Sequence, residues 1–410
     1  MVSNSTFKNT VLFLLVLFVS CGNSTKISRT AKPTLAEAAA TPTRIEVGAE
    51  RIALYGPLLQ GKKVGILTNQ TGIVPQSASG TSESTVDFLL RNQVNVIKVY
   101  APEHGFRGTA SAGEHVKDSK DSKTNLPIIS LYGSSKKPSK EQLKDIEVML
   151  FDLQDVGARF YTYISSLHYL MEACAENGIP VIILDRPNPN GSSIDGPVLE
   201  LANKSFIGMH PIPVLHGMTI GEYGQMINGE KWLNQGIQCK LTVIPCNNYS
   251  SDMPYDLPIA PSPNLPNMQS IRLYVSLCFF EGTNVSSGRG TDLQFQIYGS
   301  PFLKNMPFSF TPQPNAASSD PMNKGKLCFG ENLSKVEVTR PLDLQWLLKA
   351  YNHSDQKDRF FIGFFTKLAG TTTLKTQIEK GWTENQIRET WKTGIENFKK
   401  TRAPYLLYTK

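Results

Sequence analysis

From Lys63 onward, short apolar runs alternate with amphipathic ones, and most of the apolar runs end in a polar loop. The apolar runs are Lys63–Thr68, Val94–Tyr100, Pro127–Leu131, Ile146–Asp152, Pro180–Leu184 and Lys240–Ile244. Their length and near-continuous hydrophobicity predict strands covered on both faces. Helical patterns separate them. Ser82–Asn92 carries Val86, Leu89 and Leu90 on one face. Ser139 with Gln142 forms a capping-box signature. Ile164, Leu167, Leu170, Met171 and Cys174 recur at core spacing before a stop at Gly178. Thr219 with Glu222 opens a helix that stops near Gly229. This alternation predicts an α/β fold: a Rossmann-like, doubly wound, mostly parallel sheet over residues 44–265. Pro254–Pro266 reads as a linker.

Residues 267–410 read as a smaller α+β domain. Its strand candidates are Leu273–Phe280, Asp292–Tyr298 and Arg359–Phe365. Thr383 with Gln386 caps a helix bearing Ile387, Trp391, Ile395 and Phe398 on one face. Residues 312–325 read as a low-complexity surface loop. A length of 410 residues suits two domains.

The first residues read as targeting sequence. Lys8 precedes the apolar run Val11–Val19, which is too short to span a bilayer, and Ser20-Cys21-Gly22 follows. Residues 1–21 therefore read as a signal peptide. Cys21 after a small residue resembles a lipobox, although Phe18 stands where Leu is more usual. The expectation is a lipid anchor on Cys21, residues 22–43 as a flexible tether, and a lipoprotein in the cell envelope, facing the periplasm or the exterior. Five further cysteines form no zinc-spaced set. Cys174 and Cys278 read as small buried hydrophobes, and a Cys239–Cys246 disulfide stays open. The net charge of +7 comes without a dense basic run, which argues against nucleic acid as a partner.

The chemistry must come from the loops. A dinucleotide site needs Gly-x-Gly-x-x-Gly after the first strand, and Thr68–Ile73 contains one Gly. Gly282–Gly290 lacks the Lys-Ser/Thr of a phosphate loop. No Gly-x-Ser-x-Gly elbow is present. No metal or cofactor is expected. The strand-end loops instead carry Asn69-Gln70, then Glu103-His104 with Arg107, then Asp152, Gln154, Asp155 and Arg159, then Asp185, Arg186, Asn188 and Asn190. A doubly wound sheet gathers such loops along one edge. Paired carboxylates suit glycosidic hydrolysis, one protonating the leaving oxygen and a second acting as base or nucleophile. Arg159 and Arg289 suit bidentate capture of a substrate carboxylate. Tyr161 or Tyr163 suits stacking on a sugar ring. The competing structural reading is a salt-bridged turn at Glu103–Arg107 and an internal network around Asp152, Asp155 and Arg159.

Five blocks carry a family resemblance: Asn69–Gly72, Pro102–Gly108, Phe151–Tyr163, Leu184–Gly191 and Glu281–Thr291. In sequence and order they resemble the signature blocks of the exo-β-N-acetylmuramidase (NamZ) family. The resemblance covers nearly all of residues 44–410. It implies a nucleotide-free Rossmann-like domain, a smaller C-terminal domain and a cleft between them. The implied activity is release of N-acetylmuramic acid from the non-reducing end of peptidoglycan fragments such as MurNAc-GlcNAc. It implies Glu103 as the catalytic acid, with His104 and Arg107 tuning it or positioning the sugar. The second carboxylate stays open among Asp152, Asp155, Asp185 and Glu281, and the substrate's own acetamido group is an alternative. Asn69, Gln154, Tyr163, Asp185, Asn188, Asn284 and Thr291 are expected to contact sugar. Arg107, Arg159, Arg186 and Arg289 compete for the lactyl carboxylate. A non-catalytic muropeptide-binding lipoprotein using the same cleft is the alternative function.

Overall fold

The computed structural model describes residues 44–76, 81–103, 105–107, 118–133 and 135–408. The expected signal peptide, Cys21, the tether and His104 lie outside the described residues. All six expected strands form: β1 (Val64–Thr68), β2 (Val96–Ala101), β3 (Pro127–Ser130), β4 (Val148–Asp152), β5 (Val181–Leu184) and β6 (Leu241–Ile244). They lie side by side in the order β6-β5-β4-β1-β2-β3, all parallel. Ser119–Lys120 adds a short antiparallel edge beyond β3. This is the doubly wound order 3-2-1-4-5-6, whose reversal falls between β1 and β4.

Every residue of β1, β4 and β5 is buried, as strands covered on both faces require. Val64, Ile66, Val148 and Leu150 point into one core, with Tyr55 and Leu59 of α1 (Ile52–Leu59) and Val86 and Leu89 of α2 (Thr85–Arg91). Leu67, Met149 and Phe151 point into the other, with Ile164, Leu167 and Met171 of α3 (Tyr163–Glu176) and Tyr223 and Ile227 of α4 (Ile220–Gly229). Local chemistry starts these helices. Ser84 Oγ accepts from the Asp87 amide at the head of α2. At α4, Thr219 and Glu222 bond reciprocally to each other's backbone amides.

The second core continues into the C-terminal domain. There α5 (Met268–Leu277) packs near a three-stranded antiparallel sheet of β7 (Ile297–Ser300), β8 (Phe308–Phe310) and β9 (Cys328–Asn332), ordered β7-β9-β8. Phe160, from the loop after β4, meets Tyr274 and Phe279 edge-on at 5.3 and 5.9 Å. Residues 44–410 thus form one compact unit, joined through apolar packing.

Several expectations fail for local reasons. Leu273–Phe280 is not a strand but the end of α5 running into a 3-10 turn, Cys278–Gly282. Asn267 caps α5, its side chain accepting from the Ser270 amide, and that signal lies just past the Pro254–Pro266 stretch read as linker. Arg359–Phe365 is no strand: it runs from the end of a 3-10 turn, Lys357–Arg359, through a bridge and a turn to the start of a short helix, Phe365–Ala369. The Ser139–Gln142 capping box makes both its hydrogen bonds, yet only turns follow. The Thr383 helix breaks into Glu384–Glu389 and Lys392–Arg402 at Thr390–Trp391. Cys239 and Cys246 are free buried thiols, not a disulfide. Residues 312–325, by contrast, form the expected surface loop, mostly exposed and anchored by buried Pro312, Ala317, Ser318 and Pro321. It packs on the Gly-rich loop, where a Cβ on Gly290 would lie 2.5 Å from the Gln313 carbonyl oxygen. Gly290 has φ +76°, a second reason for glycine there.

Candidate active site

At the C-terminal edge of the parallel sheet, a cavity of about 420 Å³ opens between the two domains. Glu103 enters it from the loop after β2. Pro102 ends that strand, and Gly105 turns the chain at φ +72°, its amide donating to the Pro102 carbonyl. Tyr132, from the loop after β3, donates to Glu103 Oε1 at 2.9 Å. Because β2 and β3 are paired neighbours, their two loops are held together by the sheet. The C-terminal domain contributes Glu281 and Arg289, whose Nε donates to Glu281 Oε1 at 2.5 Å. Burial works against the Arg289 charge, but Glu281 more than offsets it, and the guanidinium pKa lies above its usual value. Its planar group also lies 5.0 Å from the centre of the Phe295 ring. Phe160, Tyr161, Tyr163, Phe206, Tyr274 and Phe364 supply aromatic wall. Tyr161 donates to the Pro261 carbonyl at 2.9 Å, so the supposed linker is part of the cavity's support.

Among the described lining residues, Glu103 and Glu281 are the only carboxylates. Tyr163 and Arg289 line the cavity as well, and the remaining expected site residues among those described face elsewhere. Asp152, at the end of β4, is fully buried and holds Arg186 through two bonds of 2.6 and 3.0 Å while accepting from Thr85. This pair plugs the reversal point of the sheet, and a Cβ on Gly72 would lie 3.1 Å from Asp152 Oδ2. Asp185 accepts from the Arg186 and Gly221 amides and from the Thr219 and Tyr408 hydroxyls. It is therefore an anchor for the C-terminal tail rather than a sugar ligand. Asp155 accepts from the Gly157 amide, and burial pushes its carboxyl up to about 7.

Arg159 is fully buried and donates to the carbonyls of Pro197, Ile212, Leu368 and Ala369. It ties the two domains together and does not line the cavity, so it is not placed to grip a substrate carboxylate. Burial lowers its pKa to about 9. Gln154 donates to the Asp155 and Pro187 carbonyls, and Asn188 to those of Gly191 and Met218. Asn69 donates to the Tyr163 hydroxyl at 2.5 Å and so braces the cavity floor from behind. Thr291 donates to Gly288 O inside the Gly-rich loop. Asn284 lies outside the lining, its side-chain polar atoms buried without partners. Arg107 makes two bonds to Asp121, 3.0 and 2.8 Å, and its guanidinium sits over the Phe106 ring, 4.4 Å from its centre. Its ion-pair partners are thus Asp121 and Asp87, not the Glu103 of the expected salt-bridged turn.

Sequence reading missed Tyr132, Lys136, Phe206, Ser262, Asn264 and Phe364 as cavity residues. The signal for Tyr132 and Lys136 was available, since they follow β3 as Glu103 follows β2. Phe364 was hidden in a stretch misread as strand.

Two family models cover most of the chain. The model described as exo-β-N-acetylmuramidase NamZ, N-terminal, matches residues 64–269. Its C-terminal counterpart matches residues 272–408. The chain belongs to the NamZ family of exo-β-N-acetylmuramidases. It is similar to the peptidoglycan β-N-acetylmuramidase NamZ of Bacillus subtilis strain 168, with 37% identity spanning 98% of this chain and all of that protein. Two DUF1343 family proteins of Bacteroides fragilis NCTC 9343 have the same fold. One superposes with TM-score 0.83 at 44% identity, covering 90% of this chain and 100% of its own. The other gives 0.75 at 29% identity, covering 89% and 99%.

Proposed function

We infer that this protein is an exo-acting β-N-acetylmuramidase that releases N-acetylmuramic acid from the non-reducing end of peptidoglycan glycan fragments in cell-wall turnover. Family membership sets the reaction class. The observation that carries the mechanism is the pairing of Glu103 and Glu281 as the two carboxylates of one aromatic-walled cavity. Glu103 is the general acid. Its proton passes to the glycosidic oxygen, the bond from that oxygen to C1 breaks, and the shortened glycan leaves as an alcohol. Glu281, beside the Arg289 guanidinium, is the carboxylate that faces the positive charge developing at C1. Water then adds at C1 and gives up a proton to the Glu103 carboxylate, which restores the acid and completes the hydrolysis. Asp152, Asp155 and Asp185 take no part, because they are absent from the lining.

Incubation with MurNAc-GlcNAc, followed by mass spectrometry, tests the reading. Free N-acetylmuramic acid and N-acetylglucosamine are expected. Saturable binding with the disaccharide intact after hours would overturn it in favour of a binding lipoprotein.

The envelope location rests on residues 1–21. Lys8, the apolar run and Cys21 support export and lipidation at Cys21, which places the enzyme where wall fragments occur. Cells grown with a labelled fatty acid should label the full chain and not C21S; equal labelling of both rejects the anchor.

A further inference from the structure

N-acetylmuramic acid differs from N-acetylglucosamine by a lactyl ether whose carboxylate carries a full charge. The ether sits on the same ring as the scissile C1, so its receptor must border the cavity that holds Glu103. The described lining residues include two cations, Arg289 and Lys136. Arg289 is already compensated by Glu281. Lys136 is different. Its Nζ donates to the neutral Gly133 carbonyl at 2.6 Å and lies 5.1 Å from the centre of the Phe206 ring. Among the described residues no carboxylate stands within ion-pair distance of it; the neighbouring Lys137, by contrast, is paired with Glu172 and Glu176. The carbonyl and the ring fix the ammonium in place without cancelling its charge. Lys136 also belongs to the loop after β3, the strand beside the one that leads to Glu103, and Tyr132 of that loop touches Glu103 directly.

Resting on the muramidase reading, we propose that Lys136 is the specificity residue that receives the lactyl carboxylate. Arg289 stays with Glu281. The substrate's carboxylate then supplies the anion that the described residues do not offer Lys136, and an uncharged N-acetylglucosamine residue does not supply it. Discrimination comes from the unmet charge as well as from the new ion pair.

The test compares a chromogenic N-acetylmuramic acid glycoside with its lactyl carboxamide, which keeps the shape and removes the charge. Lys136→Met should raise KM for the acid ~10- to 100-fold, the range of one charge-assisted hydrogen bond. It should leave kcat within about threefold and KM for the amide nearly unchanged on the same scale. Lys136→Arg should restore most of the selectivity. Calorimetry with free N-acetylmuramic acid and its amide gives the same comparison without turnover, so a wild-type protein that binds but does not cleave rejects the muramidase reading alone. Equal losses on acid and amide, or no loss on either, overturn the role of Lys136. Thermal melting of both variants guards against a folding defect.

Discussion

The polar residues of this molecule fall into two populations that look alike in sequence and differ in the fold. Beneath the sheet's reversal point, Asp152, Arg186, Asp185 and Arg159 are fully or almost fully buried, and each makes at least three hydrogen bonds to protein. Along the cavity wall, Glu103, Tyr132, Lys136, Glu281 and Arg289 are only partly buried and border open space. Burying a charge without saturating it is costly, so the first group must be spent on structure. The second group retains access to a ligand. The polar residues near the sheet edge therefore divide by burial into those that hold the fold together and those that border the cavity.

The sharpest way to break this division is to exchange the expected phenotypes. Asp152→Ala leaves Arg186 buried opposite a void. Breaking such a pair costs about 3–5 kcal/mol, so this variant should melt far below wild type or fail to fold. A stable, inactive Asp152→Ala would move Asp152 into the chemistry. Glu103→Gln should do the reverse. Its melting temperature should stay near wild type while kcat falls at least ~10²-fold, the lower end for a lost general acid. Turnover of a chromogenic muramic acid glycoside near the wild-type rate would remove Glu103 from that role.

The division explains how far the sequence could be read. The mostly parallel sheet and its coverage were legible because Val64–Thr68, Val148–Asp152 and Val181–Leu184 are largely apolar, and few folds bury such strands on both faces. The block from Asp152 to Tyr163 was legible as important but not as structural. Whether an Asp meets solvent or an arginine is settled by Arg186, 34 residues away, and by the Leu368 and Ala369 carbonyls, over 200 residues from Arg159. Leu273–Phe280 misled for a related reason. A helical stretch buried all round, as Leu273–Phe280 is, reads like a strand, and Asn267, the cap that distinguishes them, was not read as one. Lys136 escaped notice because nothing in Gly133–Lys137 marks one lysine as paired and its neighbour as not.

Acid titration sharpens the comparison further, because the buried population should dominate it. Burial holds His216 neutral, with its pKa lowered to about 3 against an ordinary value near 6.5. The unfolded chain takes up a proton as pH falls through ~6.5, and the folded one does not. The stability His216 contributes is therefore present above ~6.5 and is lost as pH falls toward 3. His168, lowered to about 4, and His210, held well below its ordinary value by burial, act in the same direction. Asp155 and Glu222, each raised to about 7, act oppositely: their contribution is full below the ordinary carboxyl range and is lost as pH rises through 7. His216→Gln should reduce the slope of unfolding free energy against pH, between pH 4 and 6.5, by up to ~1.4 kcal/mol per unit. Denaturant titrations across that range measure it. An unchanged slope would mean that His216 is not held neutral by burial.

The smallest effect tests the boundary between the two populations. Tyr132 bonds to Glu103 yet faces the cavity, so it belongs to the wall by position and to the scaffold by function. Its phenol fixes the direction of Oε1, and a carboxyl group that must hand a proton to one glycosidic oxygen depends on that direction. Tyr132→Phe keeps the ring and removes only the donor. The loss of one hydrogen bond to a partly exposed carboxyl is worth about 0.5–1.5 kcal/mol. The expected outcome is a kcat about 3- to 10-fold lower with KM and melting temperature unchanged. A rise in KM with kcat intact would make Tyr132 a sugar contact instead. A fall in melting temperature with both constants intact would place it with Asp152 and Arg159 in the scaffold.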